Sequence, residues 1–102
     1  MPNERKLPED AIAFIRDCVG RRQVFWTYHV NMRLAERFIP RESILRAADI
    51  YELVESYPED KFLPSYLVLG HHKREYFHVL FAADVEAGNV RVVTAYRPDR
   101  EK

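Results

Sequence analysis

The sequence predicts an α+β domain in which two to three N-terminal helices pack on a four-stranded antiparallel meander. Three observations carry this expectation. Apolar residues in the first half recur at helical spacing, and those in the second half fall in short runs rich in β-branched and aromatic residues. The connections between those runs are short enough to join neighbouring strands directly. A chain of 102 residues fits one domain spanning residues 1–102.

The first helix is expected from Pro8 to Val19. Pro8 suits a first helical position, Glu9 and Asp10 complement the positive helix end, and Gly20 is the stop signal. Ala11, Phe14, Ile15 and Cys18 form its apolar stripe, so Cys18 reads as a small buried residue rather than a nucleophile. A second helix follows the N-cap Thr27 and runs through Phe38. Val30, Leu34 and Phe38 share one face, while His29, Arg33, Glu36 and Arg37 share another. Pro40 separates this helix from a third over residues 41–50, with Ile44, Leu45 and Ala48 apolar. From Tyr51 the period changes. Strands are expected over 51–57, 65–72, 76–85 and 89–97, separated by turn-forming clusters at Pro58–Pro64, His72–Glu75 and Glu86–Asn89.

The formal net charge is zero, but it is unevenly placed. Residues 16–46 carry seven arginines against Asp17, Glu36 and Glu42; residues 47–60 carry five acids and no basic residue. The first stretch reads as either a solvated helical surface or an anion-facing patch. A single cysteine precludes an internal disulfide and a cysteine-built zinc site. No apolar run approaches the roughly 20 residues that span a bilayer, and MPNERKLPED lacks the apolar core of a signal peptide. A soluble cytoplasmic domain without membrane contact is the expectation.

Residues 27–98 carry an ordered set of short motifs: Thr27-x-His29, Arg33, Arg37 with Ile39 before a helix start, Ser56-Tyr57-Pro58, the run Ser65–Gly70, His78-Val79 and Thr94-x-Tyr96-x-Pro98. In this order and spacing the chain resembles the bacterial family catalogued as domain of unknown function 4258. It departs from that pattern at Phe38, where the family usually has glycine, and at Pro40, where it usually has a serine cap. More distantly, the layout is similar to the toxin ribonucleases grouped with barnase, colicin nucleases and RelE-type toxins. That resemblance implies metal-free RNA cleavage and a cognate antitoxin-like protein partner, as an analogy of fold.

Cleavage of RNA by its own 2′-hydroxyl needs a base, an acid, and cations for the charge that grows on the phosphate. His29, His78 and Tyr96 are the candidate catalytic residues, with Arg33, Arg37 and Thr94 as candidate phosphate-binding residues. Thr94 and Tyr96 share a strand face, and this reading expects His29 and Tyr96 to border one cleft. Plainer readings stand beside it: a helix-end hydrogen bond for His29, surface ion pairs for Arg33 and Arg37, and a packed core position for His78. No cofactor is expected. His71, His72 and His78 lie close in sequence, but adjacent strand residues point to opposite faces. The alternative function is a non-catalytic interaction module using the acidic stretch and the arginine face as docking surfaces. A third reading is a small-molecule pocket lined by Phe77, Phe81 or Trp26. Oligomeric state is not legible in the sequence.

Overall fold

The computed structural model describes residues 6–98, and among them the chain forms three α-helices and one five-stranded sheet. In chain order these are α1 (Ala11–Gly20), β1 (Val24–Trp26), α2 (Tyr28–Glu36) and α3 (Arg41–Arg46). A 3-10 turn over Ala48–Ile50 leads into β2 (Glu52–Tyr57), β3 (Ser65–His72), β4 (Glu75–Asp84) and β5 (Asn89–Tyr96). The strand order is β1-β5-β4-β3-β2.

Strands β2 to β5 form an antiparallel meander. The expectation of a purely antiparallel, four-stranded sheet is corrected by β1, which pairs in parallel with β5 through Val24↔Val90, Phe25↔Arg91 and Trp26↔Val92. Three residues between two helices carry no periodicity of their own; only the distant partner makes them a strand. The third helix is also shorter than expected, because the segment from Ala48 tightens into the 3-10 turn.

Helix ends follow side-chain and backbone capping. α1 starts at Ala11 rather than Pro8, because Asp10 takes the N-cap and accepts from the Ala13 N–H at 3.1 Å. Thr27 caps α2 as expected, accepting from the Val30 N–H at 3.0 Å. Both helices end in Schellman turns. After α1, Arg22 and Gln23 donate to the carbonyls of Val19 and Cys18; after α2, Phe38 and Ile39 donate to those of Ala35 and Leu34. Each turn needs one left-handed residue, and Arg22 (φ 62°) and Phe38 (φ 56°) occupy those places. At Phe38 a glycine would hold this conformation without strain, because it has no Cβ. Pro40 is the N-cap of α3 and makes no side-chain cap bond.

All helices lie on one face of the sheet. Ile15, Cys18 and Val19 of α1, Val30 and Leu34 of α2, and Ile44 of α3 pack on Val68, Phe77, Val79, Phe81, Val90, Val92 and Ala95. Burying each large apolar side chain is worth roughly 1.5–3 kcal/mol, so this face supplies most of the stabilisation. Tyr51 closes the core, its ring against Phe81 and its hydroxyl donating to the Ile44 carbonyl at 2.6 Å.

A bulge in β5 decides what the other face presents. Phe81 pairs with Val92 but the preceding Leu80 pairs with Thr94, leaving Val93 as the extra residue. Strict alternation from buried Val90 and Val92 would turn Thr94 and Tyr96 into the core. The bulge reverses the phase, so Ala95 is buried while Thr94 and Tyr96 join the helix-free face.

Candidate functional site: the helix-free face of the sheet

The register builds this face in rows. Glu52, Leu69, His78 and Tyr96 form one, and Glu55, Leu67, Leu80 and Thr94 the next. His71 and Tyr76 pair beyond the first row and stack with ring centroids 4.8 Å apart. The aliphatic side chains give the face an apolar floor, and the histidine, tyrosine and threonine side chains supply its chemistry.

His78 and Tyr96 meet edge to face, with ring centroids 5.4 Å apart. His78 is half-buried, and its Nδ1 is buried without a hydrogen-bond partner among the described residues. Leaving such an atom unpaired costs about 1–3 kcal/mol. His78 is therefore not the satisfied core histidine of the plainer reading. Beside it opens a pocket of about 540 Å³ lined by Leu69, Arg74, Glu75, Tyr76, His78, Arg97 and Pro98. A smaller pocket of about 250 Å³ lies along Tyr57, Asp60, Leu67, Leu80, Thr94 and Tyr96.

Two arginines join α2 to this region. Arg37, the C-cap of α2, donates to the Ala95 carbonyl at 2.8 Å and to the Thr94 hydroxyl at 3.4 Å. Arg97 returns the link, donating to the carbonyls of Arg37 and Phe38 and, through Nε, to Glu75 at 2.8 Å. A guanidinium on the last carbonyls of a helix complements its negative end.

Of the residues singled out from sequence, the structure brings His78, Tyr96, Thr94 and Arg37 together. Arg33 instead faces solvent and pairs with Glu36 at 3.5 Å. His29 is exposed and lines a neighbouring pocket with Arg91, Val93 and Phe62; Asp60 borders both that pocket and the one holding Tyr96. Sequence reasoning missed Arg74, Glu75, Tyr76 and Arg97. Arg97 lies inside the quoted run Thr94-x-Tyr96-x-Pro98, but regular alternation pointed it away from the site. The strand ends at Tyr96, which frees Arg97 to turn toward Glu75.

Phe77 and Phe81, named in the small-molecule reading, are buried in the core, and Trp26 lies under the Arg41 guanidinium at 4.8 Å. No group of three or more His, Cys, Asp or Glu side chains suited to a metal ion occurs among the described residues.

A family profile matches residues 26–97, the stretch from the end of β1 through Arg97. The chain belongs to the family described as Domain of unknown function (DUF4258). The match contains α2, its Schellman turn and all four meander strands, so the groove around His78 and Tyr96 lies within the family's stretch and α1 outside it. No curated protein and no solved structure matches the chain. No helix among the described residues is long and apolar enough to cross a membrane.

Proposed function

We propose that the helix-free face binds RNA and cleaves it without a metal ion, with His78 and Tyr96 at the centre. The observation that carries this reading is the His78–Tyr96 contact, which sets an imidazole at the rim of an open, cation-flanked pocket while its Nδ1 is buried and unpartnered among the described residues.

In the reaction, the 2′-oxygen bonds to phosphorus while the bond to the 5′-oxygen breaks. The 2′-hydroxyl proton goes to a base, and the 5′-oxygen receives one from an acid. The products are a 2′,3′-cyclic phosphate and a 5′-hydroxyl. His78 serves as one proton carrier. Glu75, which lines the same pocket, supplies a carboxyl for the other. The Tyr96 and Thr94 hydroxyls donate to phosphate oxygens, and Arg37, Arg74 and Arg97 hold positive charge where negative charge develops.

The test is incubation of purified protein with mixed-sequence RNA under chelator. The native chain is expected to cleave, His78→Ala to lose at least ~100-fold of the rate, as removal of a proton carrier does, and His29→Ala to retain most of it. RNA left intact by the folded native chain, free and with ribosomes present, overturns the catalytic reading.

One observation favours a second reading, a non-catalytic interaction module. Edge strand β2 is exposed along all its residues and carries Glu52 and Glu55. Such an edge accepts a strand or basic segment from an antitoxin-like protein partner. Unchanged RNA together with formation of a discrete protein complex would select this reading.

A further inference from the structure

The pocket beside α2 plays no part in the chemistry above. It measures about 350 Å³, and its lining includes Thr27, His29, Phe62, Ser65, Arg91 and Val93. Phe62 sits in the β2–β3 connection and is 83% exposed, although burying such a ring would stabilise the fold by roughly 1.5–3 kcal/mol. The Lys61 ammonium lies 5.4 Å from its centroid. The His29 side chain is exposed at the pocket's rim. Among the described residues Arg91 makes an exposed pair with Asp84 at 3.3 Å, weak enough to turn toward another anion. An exposed aromatic ring flanked by cations is the arrangement on which unpaired bases stack.

This pocket continues the groove. Asp60 lines both it and the Tyr57–Tyr96 pocket, and β5 runs past both from Arg91 to Tyr96, roughly 17 Å at about 3.3 Å per strand residue. That length exceeds what one nucleotide fills. The charges also divide across the face. Arg37, Arg91 and Arg97 follow the β5 side, the last two in exposed pairs with Asp84 and Glu75, whereas Glu52, Glu55 and Asp60 follow β2. Phosphates are favoured along β5 and repelled from β2, so a bound strand turns its bases toward Leu67, Leu69 and Leu80 and the carboxylates beyond. Only unpaired bases are free to do this.

We infer that the pocket beside α2 is a base-stacking subsite with Phe62 as its platform, and that the groove takes single-stranded RNA of several nucleotides. This rests on the RNA reading above and names its substrate class. The experiment is fluorescence anisotropy with a labelled 12-nucleotide single-stranded RNA, a blunt duplex of the same sequence and a dinucleotide, on the full chain. The native protein is expected to bind the 12-mer at least tenfold more tightly than either competitor. Phe62→Ala weakens 12-mer binding about tenfold, the loss of one stacked base; Phe62→Trp keeps it, and its added indole is quenched by RNA. Phe62 is exposed, so both variants fold, which circular dichroism checks. Equal 12-mer affinity for native chain and Phe62→Ala overturns the subsite while leaving the RNA reading in place. Absence of RNA binding by the native chain overturns both. A dimer that Phe62→Ala converts to monomer in sedimentation assigns the ring to a contact between copies, and also overturns the subsite.

Discussion

Arg37 reaches from the end of α2 to the Ala95 carbonyl, 58 residues away in sequence, at 2.8 Å. β1 pairs with β5 as far as Val92, so among the described residues Ala95 lies on an edge that no strand covers. The guanidinium supplies the hydrogen bond that a sixth strand position would otherwise give. Arg97 crosses in the opposite direction, and together the two side chains fasten the helix end to the strand that carries Thr94 and Tyr96.

Replacing Arg37 with methionine keeps the aliphatic stem and removes these donors. Stability should fall by about 1.5–3 kcal/mol, as for other hydrogen bonds from a charged group. Urea unfolding measures this, and an unchanged midpoint would show that the link contributes nothing.

Phe38 holds a left-handed conformation while its side chain is 80% exposed, so it pays conformational strain with little burial in return. Phe38→Gly should stabilise the chain by about 0.5–1 kcal/mol, the relieved Cβ strain less the added freedom of the unfolded glycine. Phe38→Ala retains the Cβ and should give no such gain. Equal urea midpoints for the glycine and alanine variants would refute the argument.

Gly70 lies against Tyr51. A Cβ added there would stand 3.0 Å from the ring's Cε1 and 3.2 Å from the Ala47 Cβ. The ring cannot easily retreat, because its hydroxyl is bonded to the Ile44 carbonyl and its face packs on Phe81. Gly70→Ala should cost about 1–3 kcal/mol, the usual range for overpacking. Thermal melts would register a lower Tm, and a Tm at or above the native one would contradict the contact.

Alkaline pH should weaken the fold. Burial pushes Tyr51, Tyr66 and Cys18 above their ordinary ranges, and donation to Glu55 does the same for Tyr57. Each group therefore ionises more readily in the unfolded chain, so the folded state binds more protons once pH exceeds the unfolded values. The stabilisation is complete below about pH 8 and declines as pH passes roughly 9–10. Urea midpoints measured from pH 7 to 11 should be level and then fall, with a shallower fall in Tyr51→Phe. A midpoint that rises above pH 9 would have the wrong sign.

The sequence alone determined those features set by immediate neighbours. Helical spacing placed α1 and α2, Thr27 announced the cap of α2, and Cys18 read correctly as a buried apolar residue. Turn residues marked the four meander strands, and a two-residue interval put Thr94 and Tyr96 on one face. Local periodicity reports only how side chains are phased against one another along the chain. Which face of the sheet the helices cover, that β1 is a strand at all, and which carbonyls receive Arg37 and Arg97 depend on partners about sixty residues distant. The bulge at Val93 belongs to the same class, since a shift in pairing with β4 is what turns Thr94 and Tyr96 outward beside His78. The residue types were therefore legible in the sequence, while their gathering on one open face was decided by the tertiary structure.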